Sequence, residues 1–286
     1  MLVSSRQLLE HLGDPTWIVF DCRHDLTDLT KGERVYREGH IPGAHFANLE
    51  IDLSGEKNGQ NGRHPLPPPA AFTAFLARHG VTPSSTLVAY DDVGGQFAAR
   101  LWWLARWIGL TKIALLDGGL QKWSVDGHSL SREVPVPRPA PLRGHADALT
   151  VMSADEVQSR LNDDQAMILI DARAPERYRG EVEPMDPVAG HIPGAYNRFY
   201  KENLNADLTM RSPAILHAAF AKLLGTTAAE HAVHQCGSGV TACANIFAME
   251  YAGLSGSKLY AGSWSEWVSA PSRPVAKGAQ RGSTIV

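Results

Sequence analysis

The sequence predicts an α/β fold that is built twice: two tandem domains, each with a doubly wound, mostly parallel sheet flanked by helices. Two observations support this prediction. Several short segments recur in the same order about 150 residues apart, which indicates an internal repeat. Within each copy, short apolar runs alternate with stretches of helical periodicity, and this alternation is typical of βαβ units and a parallel sheet.

The repeat is carried by three pairs of matching segments. HIPGAHF at 40–46 returns as HIPGAYN at 191–197, a shift of 191 − 40 = 151. WIVFDCR is echoed by ILIDAR at a shift of 150, and IALLDGGLQKW by SKLYAGSWSEW at a shift of 144. Three ordered matches at nearly one offset indicate a tandem duplication of one domain and not a solenoid.

The elements follow from the spacing of apolar residues, because strands are short aliphatic runs and helices repeat apolar residues every three or four positions. In the first copy the predicted elements alternate helix and strand in the order SSRQLLEHL, TWIVFD, PAAFTAFLARHG, TLVAYD, GQFAARLWWLARWIG and KIALLD. The second copy repeats that alternation in SADEVQSRL, MILIDA, PAILHAAFAKLLG, AVHQ, TACANIFAMEYAG and SKLY.

A proline-rich stretch, SREVPVPRPAPLRGH, separates the copies. Proline is excluded from helix interiors and central strands, so this stretch predicts a stiff, extended linker. We therefore expect a first domain at 1–130, a linker at 131–145 and a second domain at 146–286 that includes a polar C-terminal tail.

Composition limits the classes of function. The 286 residues are 44% hydrophobic and 20% charged, as in a globular protein with a buried core. A net charge of −3 without a basic stripe argues against nucleic acid or a membrane surface as a partner. No apolar run approaches the roughly 18 residues that span a bilayer. Three cysteines do not suggest a disulfide framework, so we expect a reducing, cytoplasmic location.

The stretch CGSGVT places Cys236 between the AVHQ strand and a helix that begins near Thr241. Ligands of parallel sheets bind beyond the C-terminal ends of the strands, which is where this loop lies. Gly237 and Gly239 allow successive backbone amides to converge, and the helix N-terminus adds positive potential. Such a cradle stabilises a thiolate, and the hydroxyl of Ser238 adds a donor.

Other interpretations of Cys236 compete with a nucleophile. A disulfide to Cys243, a metal site and a small buried side chain are the alternatives. Metal sites need several Cys or His ligands, and His234 with Cys236 is only a pair. Cys22 and Cys243 lie on a strand end and an apolar helix face, where cysteine usually serves as packing. The residues alone leave open whether Cys236 is a nucleophile or a buried structural cysteine.

The CGSGVT loop, both HIPGA segments, LLDGGLQKW and YAGSWSEW together resemble the two-domain rhodanese family of sulfurtransferases. The resemblance implies that the second domain is catalytic and that Cys236 cycles through a persulfide, with no metal and no organic cofactor. It further implies a catalytic role for Ser238 and a substrate-binding loop formed by Gly237, Gly239, Val240 and Thr241. In the ungapped repeat, Asp92 takes the place of Cys236, since 236 − 144 = 92.

The loop sequence also bears on the donor. CGSGVT resembles the C-G-[ST]-G-V-T loop of 3-mercaptopyruvate sulfurtransferases, whereas thiosulfate sulfurtransferases resemble C-R-K-G-V-T. Arg177 matches the arginine that binds the substrate carboxylate in that branch, which suits a bidentate guanidinium. A second arginine is expected after Glu183-Pro184, where this chain has Met185. The resemblance also implies a possible relay between His40 and Ser238.

These observations predict transfer of sulfur from a small-molecule donor, 3-mercaptopyruvate, to cyanide or to a thiol such as that of a thioredoxin-like protein. Pyruvate would be the other product. Two alternatives accompany this hypothesis: a thiosulfate sulfurtransferase and a non-catalytic persulfide carrier.

Overall fold

The computed structural model describes residues 1–161, 163 and 166–282, without the side chain of Leu149. The chain forms two compact units. The first consists of Met1–Gly55, Leu66–Asp147 and Leu204–Met210. The second consists of Glu56–Pro65, Ala148–Asn203 and the chain from Arg211 onward. Each unit therefore includes a short segment from the other half of the sequence, which the duplication alone does not predict.

Unit 1 contains a five-stranded sheet in which every pairing is parallel, in the order β1-β5-β4-β2-β3. Its strands are β1 Leu2–Val3, β2 Trp17–Asp21, β3 His45–Phe46, β4 Thr86–Tyr90 and β5 Ile113–Leu116. Its helices are α1 Ser5–Glu10, α2 Lys31–Glu38, α3 Pro69–Arg78, α4 Ala98–Trp107 and α5 Gly119–Val125.

Unit 2 contains a four-stranded parallel sheet in the order β7-β6-β8-β9. Its strands are β6 Ile168–Asp171, β7 Tyr196–Asn197, β8 Ala232–Gln235 and β9 Lys258–Leu259. Its helices are α6 Ala154–Ser159, α7 Pro175–Tyr178, α8 Pro213–Leu224, α9 Ala242–Tyr251 and α10 Ser263–Trp267. The predicted α/β fold with parallel sheets is confirmed, and β8 lies in the interior of its sheet.

The two units begin with the same local device. Ser4 caps α1 and Ser153 caps α6, and each forms a capping box with the residue three positions later, Gln7 or Glu156. A capping box satisfies backbone N–H groups that the first helical turn leaves without partners. Both helices therefore start where the sequence period predicts.

All twelve predicted helices and strands are present, but several short elements were not predicted. Helices α2, α5, α7 and α10 and strands β1, β3 and β7 have at most eight residues. Such short segments carry too few apolar positions to show a period. No helix in the described part of the chain is long and apolar enough to cross a membrane.

The proline-rich stretch 131–145 belongs to unit 1. The amide of Ala140 donates to the carbonyl of Ala77 (2.9 Å), and that of His145 donates to Ile108 (3.1 Å). It contains no helix and no strand longer than a single bridge residue, as the proline content predicts. The division into a first domain, a linker and a second domain stays a prediction.

Candidate active site

Cys236 follows directly after β8, and the loop that it heads leads into α9. The thiol-bearing residue is only 2% exposed. Its amide donates to the hydroxyl of Ser263 (3.1 Å), and its carbonyl accepts from the amide of Trp264 (3.0 Å). The carbonyl of Gly237 accepts from the amide of Ser265 (3.0 Å). Hydrogen bonds from the first turn of α10 therefore hold the backbone of Cys236 and Gly237 in place.

Two glycines permit the shape of the loop. Gly239 has a φ of +76°, and a Cβ there would lie 2.2 Å from the carbonyl oxygen of Ala261. A Cβ on Gly237 would lie 2.7 Å from Nη2 of Arg63. Val240 is buried and Thr241 directly precedes the first residue of α9. The loop can accept side chains at neither glycine without displacing its neighbours.

Ser238 is hydrogen-bonded to a histidine that the sequence analysis did not select. Its hydroxyl lies 2.7 Å from Nδ1 of His64, and both residues are buried. His64 belongs to the segment Glu56–Pro65, which packs in unit 2. The repeat comparison gave no signal for this residue, because the segment comes from the first copy and has no matching motif in the second.

The possible relay residue His40 requires a correction. Its Nδ1 lies 2.8 Å from the carbonyl oxygen of Tyr36, and its Nε2 lies 3.1 Å from that of Glu133. His191, its repeat counterpart, makes the same pair of contacts with the carbonyls of Tyr178 (2.8 Å) and Arg281 (3.1 Å). Both histidines tie backbone segments together, so the residue beside Ser238 is His64 and not His40.

Arg177 lies beside the loop. Its Nη2 is 2.5 Å from Oε1 of Glu183 and 3.5 Å from Oδ2 of Asp186. Both of its terminal nitrogens are 3.5 Å from the position of a Cβ on Gly237. Arg63 reaches the same place and forms an ion pair with Asp186. The structure therefore brings two guanidinium groups to the residue after Cys236, of which the sequence analysis found one.

Arg173 and Arg179 each form an ion pair with a neighbouring carboxylate. Arg173 is buried and forms an ion pair with Asp171 (2.6 Å). Burial lowers the pKa of Arg173, but Asp171 and Glu183 raise it, and the net shift is upward, so the guanidinium stays charged. Arg179 is on the surface, paired with Glu181 at 2.7 Å.

The other two cysteines are packing residues in this structure. Cys243 is fully buried on α9, and its thiol donates to the carbonyl of Gly239 (3.3 Å). Burial, and then the charge of Asp21, raises the pKa of the Cys22 thiol well above its ordinary value. Among the described residues, no group of three or more His, Cys, Asp or Glu is arranged to hold a metal ion.

The loop after β4 is the counterpart of the Cys236 loop, and the structure shifts the alignment by one residue. Asp21 pairs with Tyr90 in the first sheet and Asp171 with Gln235 in the second. The next residues are Asp91 and Cys236. The amide of Leu120 donates to the carbonyl of Asp91, just as that of Trp264 does to Cys236. Asp91, and not Asp92 as the ungapped repeat predicted, occupies the position of the cysteine.

The carboxylate of Asp91 fills the backbone cradle of its own loop. Its Oδ1 accepts from the amides of Val93 (2.9 Å) and Gly95 (2.8 Å). Its Oδ2 accepts from the amides of Phe97 (2.8 Å) and Ala98 (3.0 Å). Burial raises the pKa of Asp91 although the four amides lower it. In the first copy the loop therefore binds an anion that the chain supplies itself.

Comparison with known proteins bears on the family. Residues 4–126 and 153–270 match the rhodanese-like domain family. A probable 3-mercaptopyruvate sulfurtransferase from Pseudomonas aeruginosa is 47% identical over 279 residues, 97% of this chain and 98% of that protein. A thiosulfate sulfurtransferase from the same species is 34% identical and covers 96% of each chain. The structure of a 3-mercaptopyruvate sulfurtransferase from Leishmania major has a TM-score of 0.82 at 29% identity, covering 93% of this chain and 74% of that chain. The chain belongs to the rhodanese family and is a sulfurtransferase with two rhodanese-like domains.

Proposed function

We propose that the chain transfers sulfur from 3-mercaptopyruvate to a thiol or cyanide through a persulfide on Cys236, with release of pyruvate. The observation that carries this proposal is the loop after β8, where a cysteine stands in the position that a carboxylate fills in the other copy. By analogy with the four amides that bond Asp91, we expect the backbone amides from Gly237 to Thr241 to face a thiolate there, and amides directed at one point stabilise negative charge.

The first half-reaction needs no oxidant. The Cys236 thiolate attacks the sulfur of 3-mercaptopyruvate, an S–S bond forms, and the C–S bond breaks. The carbon fragment leaves as the enolate of pyruvate and takes up one proton. In the second half-reaction an acceptor thiolate or cyanide attacks the outer sulfur and restores the Cys236 thiolate. Sulfur, electrons and charge balance in each step.

Ser238 and His64 are the residues that we propose to supply the proton to the departing enolate. The 2.7 Å contact between them is within the range in which a general acid or base acts on a hydroxyl. Ser238 is two residues after Cys236, so its hydroxyl can donate to the departing enolate and be reprotonated through His64. Arg177 would bind the carboxylate of the donor, for which a guanidinium is well suited.

Thiosulfate is the second candidate donor, and two observations favour it. A second arginine is missing after Glu183-Pro184, where Met185 instead uses its amide to bond Glu183 (3.0 Å). The relative named a thiosulfate sulfurtransferase is 34% identical to this chain. Against thiosulfate, the loop from Gly237 to Thr241 contains no cation to neutralise a dianion.

The acceptor is proposed by class alone. A thiol, either small or carried by a thioredoxin-like protein in a reducing cytoplasm, takes the outer sulfur by thiol chemistry, and cyanide serves as its inorganic substitute. A non-catalytic persulfide carrier would accept sulfur once but would not turn over with small acceptors.

One kinetic comparison tests this function. We expect kcat/KM for 3-mercaptopyruvate to exceed that for thiosulfate with the same cyanide acceptor, in the unaltered chain and in Met185→Arg. A higher kcat/KM for thiosulfate would replace the proposed donor with the second candidate. A single stoichiometric transfer without turnover to cyanide or small thiols would support the carrier.

A further inference from the structure

We propose that a cavity in unit 1 binds a small α-amino acid, with its carboxylate on Arg23 and Lys31 and its ammonium group on Asp92. The cavity has a volume of about 250 Å³ and is lined by residues of the loops that follow β2 and β4. Ligands of parallel sheets bind at this edge of the sheet. The cavity lies in the copy that has no loop cysteine, so this inference goes beyond the proposed function and does not depend on it.

The guanidinium of Arg23 is the first argument. Its Nε and Nη2 donate to Oδ2 of Asp21 at 3.0 and 2.7 Å, and Nη2 also donates to the carbonyl of Gly39 at 2.6 Å. Nη1 has no such partner in the part of the chain that the structure describes. The side chain is only 7% exposed and lines the cavity. A buried cation therefore has N–H groups left over for a ligand.

The second unit shows which group suits that nitrogen. Arg173 is the repeat counterpart of Arg23, and its Nη1 lies 3.4 Å from Oε2 of Glu183. Unit 1 places none of its described carboxylates in ion-pair contact with Nη1 of Arg23. A ligand carboxylate on Arg23 would thus take the place that a side-chain carboxylate takes in unit 2, and a guanidinium is well suited to bind it.

Two further charged groups of the cavity wall define the rest of the ligand. Lys31 is bonded to Asp25 at 2.7 Å, but its side chain is 47% exposed, and an ammonium group has three donors. Asp92 lines the same cavity and forms no ion pair within the described residues. Burial raises the pKa of Asp92, whereas the charge of Arg23 lowers it, and the net shift is upward. A wall with both signs of charge favours a ligand that carries both.

The cavity is not a second copy of the donor site. Tyr36 and Tyr178 are counterparts, because each donates its hydroxyl to a carbonyl of the HIPGA segment that follows it. The residues before them, Val35 and Arg177, therefore occupy equivalent positions. Val35 lines the cavity, so the place of the predicted donor-binding arginine is aliphatic in unit 1. It offers an apolar contact to the side chain of a small amino acid.

The test compares a zwitterion with its two halves. The full chain is titrated with L-alanine, acetate and ethylammonium, and binding is followed by ligand-observed NMR. For a ligand of this size we expect a Kd for L-alanine of the order of 1 mM, with each half about 10-fold weaker or worse. Asp92→Asn should raise the Kd for L-alanine by about 10-fold and should not raise that for acetate.

Three more variants locate the ligand. Lys31→Gln should weaken the binding of both L-alanine and acetate. Arg37→Gln removes an exposed arginine from the same helix and should change neither Kd. Arg177→Gln should leave the affinity for L-alanine unchanged, because that residue belongs to the catalytic site of unit 2.

Three results would overturn the inference. The first is an unchanged Kd for L-alanine in Asp92→Asn, and the second is a lack of saturation at about 100 times the expected Kd. The third is loss of L-alanine binding in Arg177→Gln, which would place the ligand at the catalytic site. None of these readouts involves sulfur transfer, so a failure here leaves the proposed function standing.

Discussion

The loops after β4 and β8 start from equivalent positions of two equivalent sheets and differ in the first side chain. Asp91 accepts hydrogen bonds from four amides of its own loop, whereas Cys236 places a thiol there. The carboxyl group is covalently part of the loop and occupies its amides, and the loop in unit 1 is therefore closed to any other anion. The comparison teaches that the first side chain either fills the loop with a fixed carboxylate, as in unit 1, or places a thiol at that position, as in unit 2.

The segments that cover the two loops also differ. In unit 1, Leu204 from the segment Leu204–Met210 lies against Gly94, so close that a Cβ on that glycine would overlap its Cδ1. In unit 2 the segment Glu56–Pro65 brings Arg63 and His64 to the loop. One loop is covered by an aliphatic side chain and the other by a cation and a titratable group.

The scaffold around the loops is the same in both units. Asp21 pairs with Arg23 as Asp171 pairs with Arg173, and each arginine also donates to a carbonyl, of Gly39 (2.6 Å) or Gly190 (2.7 Å). The histidines of the two HIPGA segments likewise make matching backbone contacts. What the copies share is structural, and what they do not share marks the site.

The largest expected effect comes from removing the carboxylate of Asp91 from the loop after β4. Asp91→Ala leaves four amides without their acceptor, and we expect the free energy of unfolding to fall by about 3 to 5 kcal/mol. Urea titration measures this change. Asp92→Ala is the matched control, for which we expect about 0.5 kcal/mol or less. Equal losses of stability in the two variants would contradict the assignment of Asp91, and not Asp92, as the counterpart of Cys236.

The next largest expected effect is a loss of kcat when His64, on the segment Glu56–Pro65, is replaced. His64→Ala should lower kcat by about 100-fold, because a positioned acid or base contributes at least that much. Since His64 and Ser238 act as one unit, the double variant with Ser238→Ala should be no slower than the slower single variant. His40→Ala should leave kcat unchanged and cost stability, since its contacts are to backbone carbonyls. A 100-fold loss in His40→Ala with none in His64→Ala would reverse the assignment.

A smaller expected effect is a loss of stability in acid that comes from the second sheet and not from the first. His234 is buried on β8, where the first copy has Ala89 at the same register, and burial lowers its pKa to about 3. The pKa of a histidine in the unfolded chain is near 6.5. The stability that the neutral, buried His234 contributes is therefore complete above pH 6.5 and is lost as the pH falls toward 3. The slope is at most roughly 1.4 kcal/mol per pH unit.

His234→Leu should flatten that slope. Thermal unfolding of the unaltered chain and of the variant between pH 6.5 and pH 5 measures the difference. The stability of the unaltered chain should fall more steeply than that of the variant as the pH falls. A parallel decline in both would show that another group, and not His234, governs the acid response of unit 2.

The sequence predicted the elements whose apolar period is long enough to read and the loop whose residues are contiguous. Cys236, Ser238 and the two glycines occupy four consecutive positions, so their common site was visible in the sequence. Asp91 was missed because the shift changes from 150 to 144 along the chain, and the strand register decides the correct partner. Arg63 and His64 were missed because local pattern does not reveal a segment that packs with the other half of the chain.

The most direct test of the account is the mass of the protein after exposure to 3-mercaptopyruvate without an acceptor. We predict one added sulfur atom, about 32 Da, located by peptide mapping on Cys236 and removed by cyanide. Cys236→Asp, which gives unit 2 the first residue of the unit 1 loop, should fold and gain no sulfur. Sulfur on Cys22 or Cys243, or an undiminished gain in Cys236→Asp, would contradict the account.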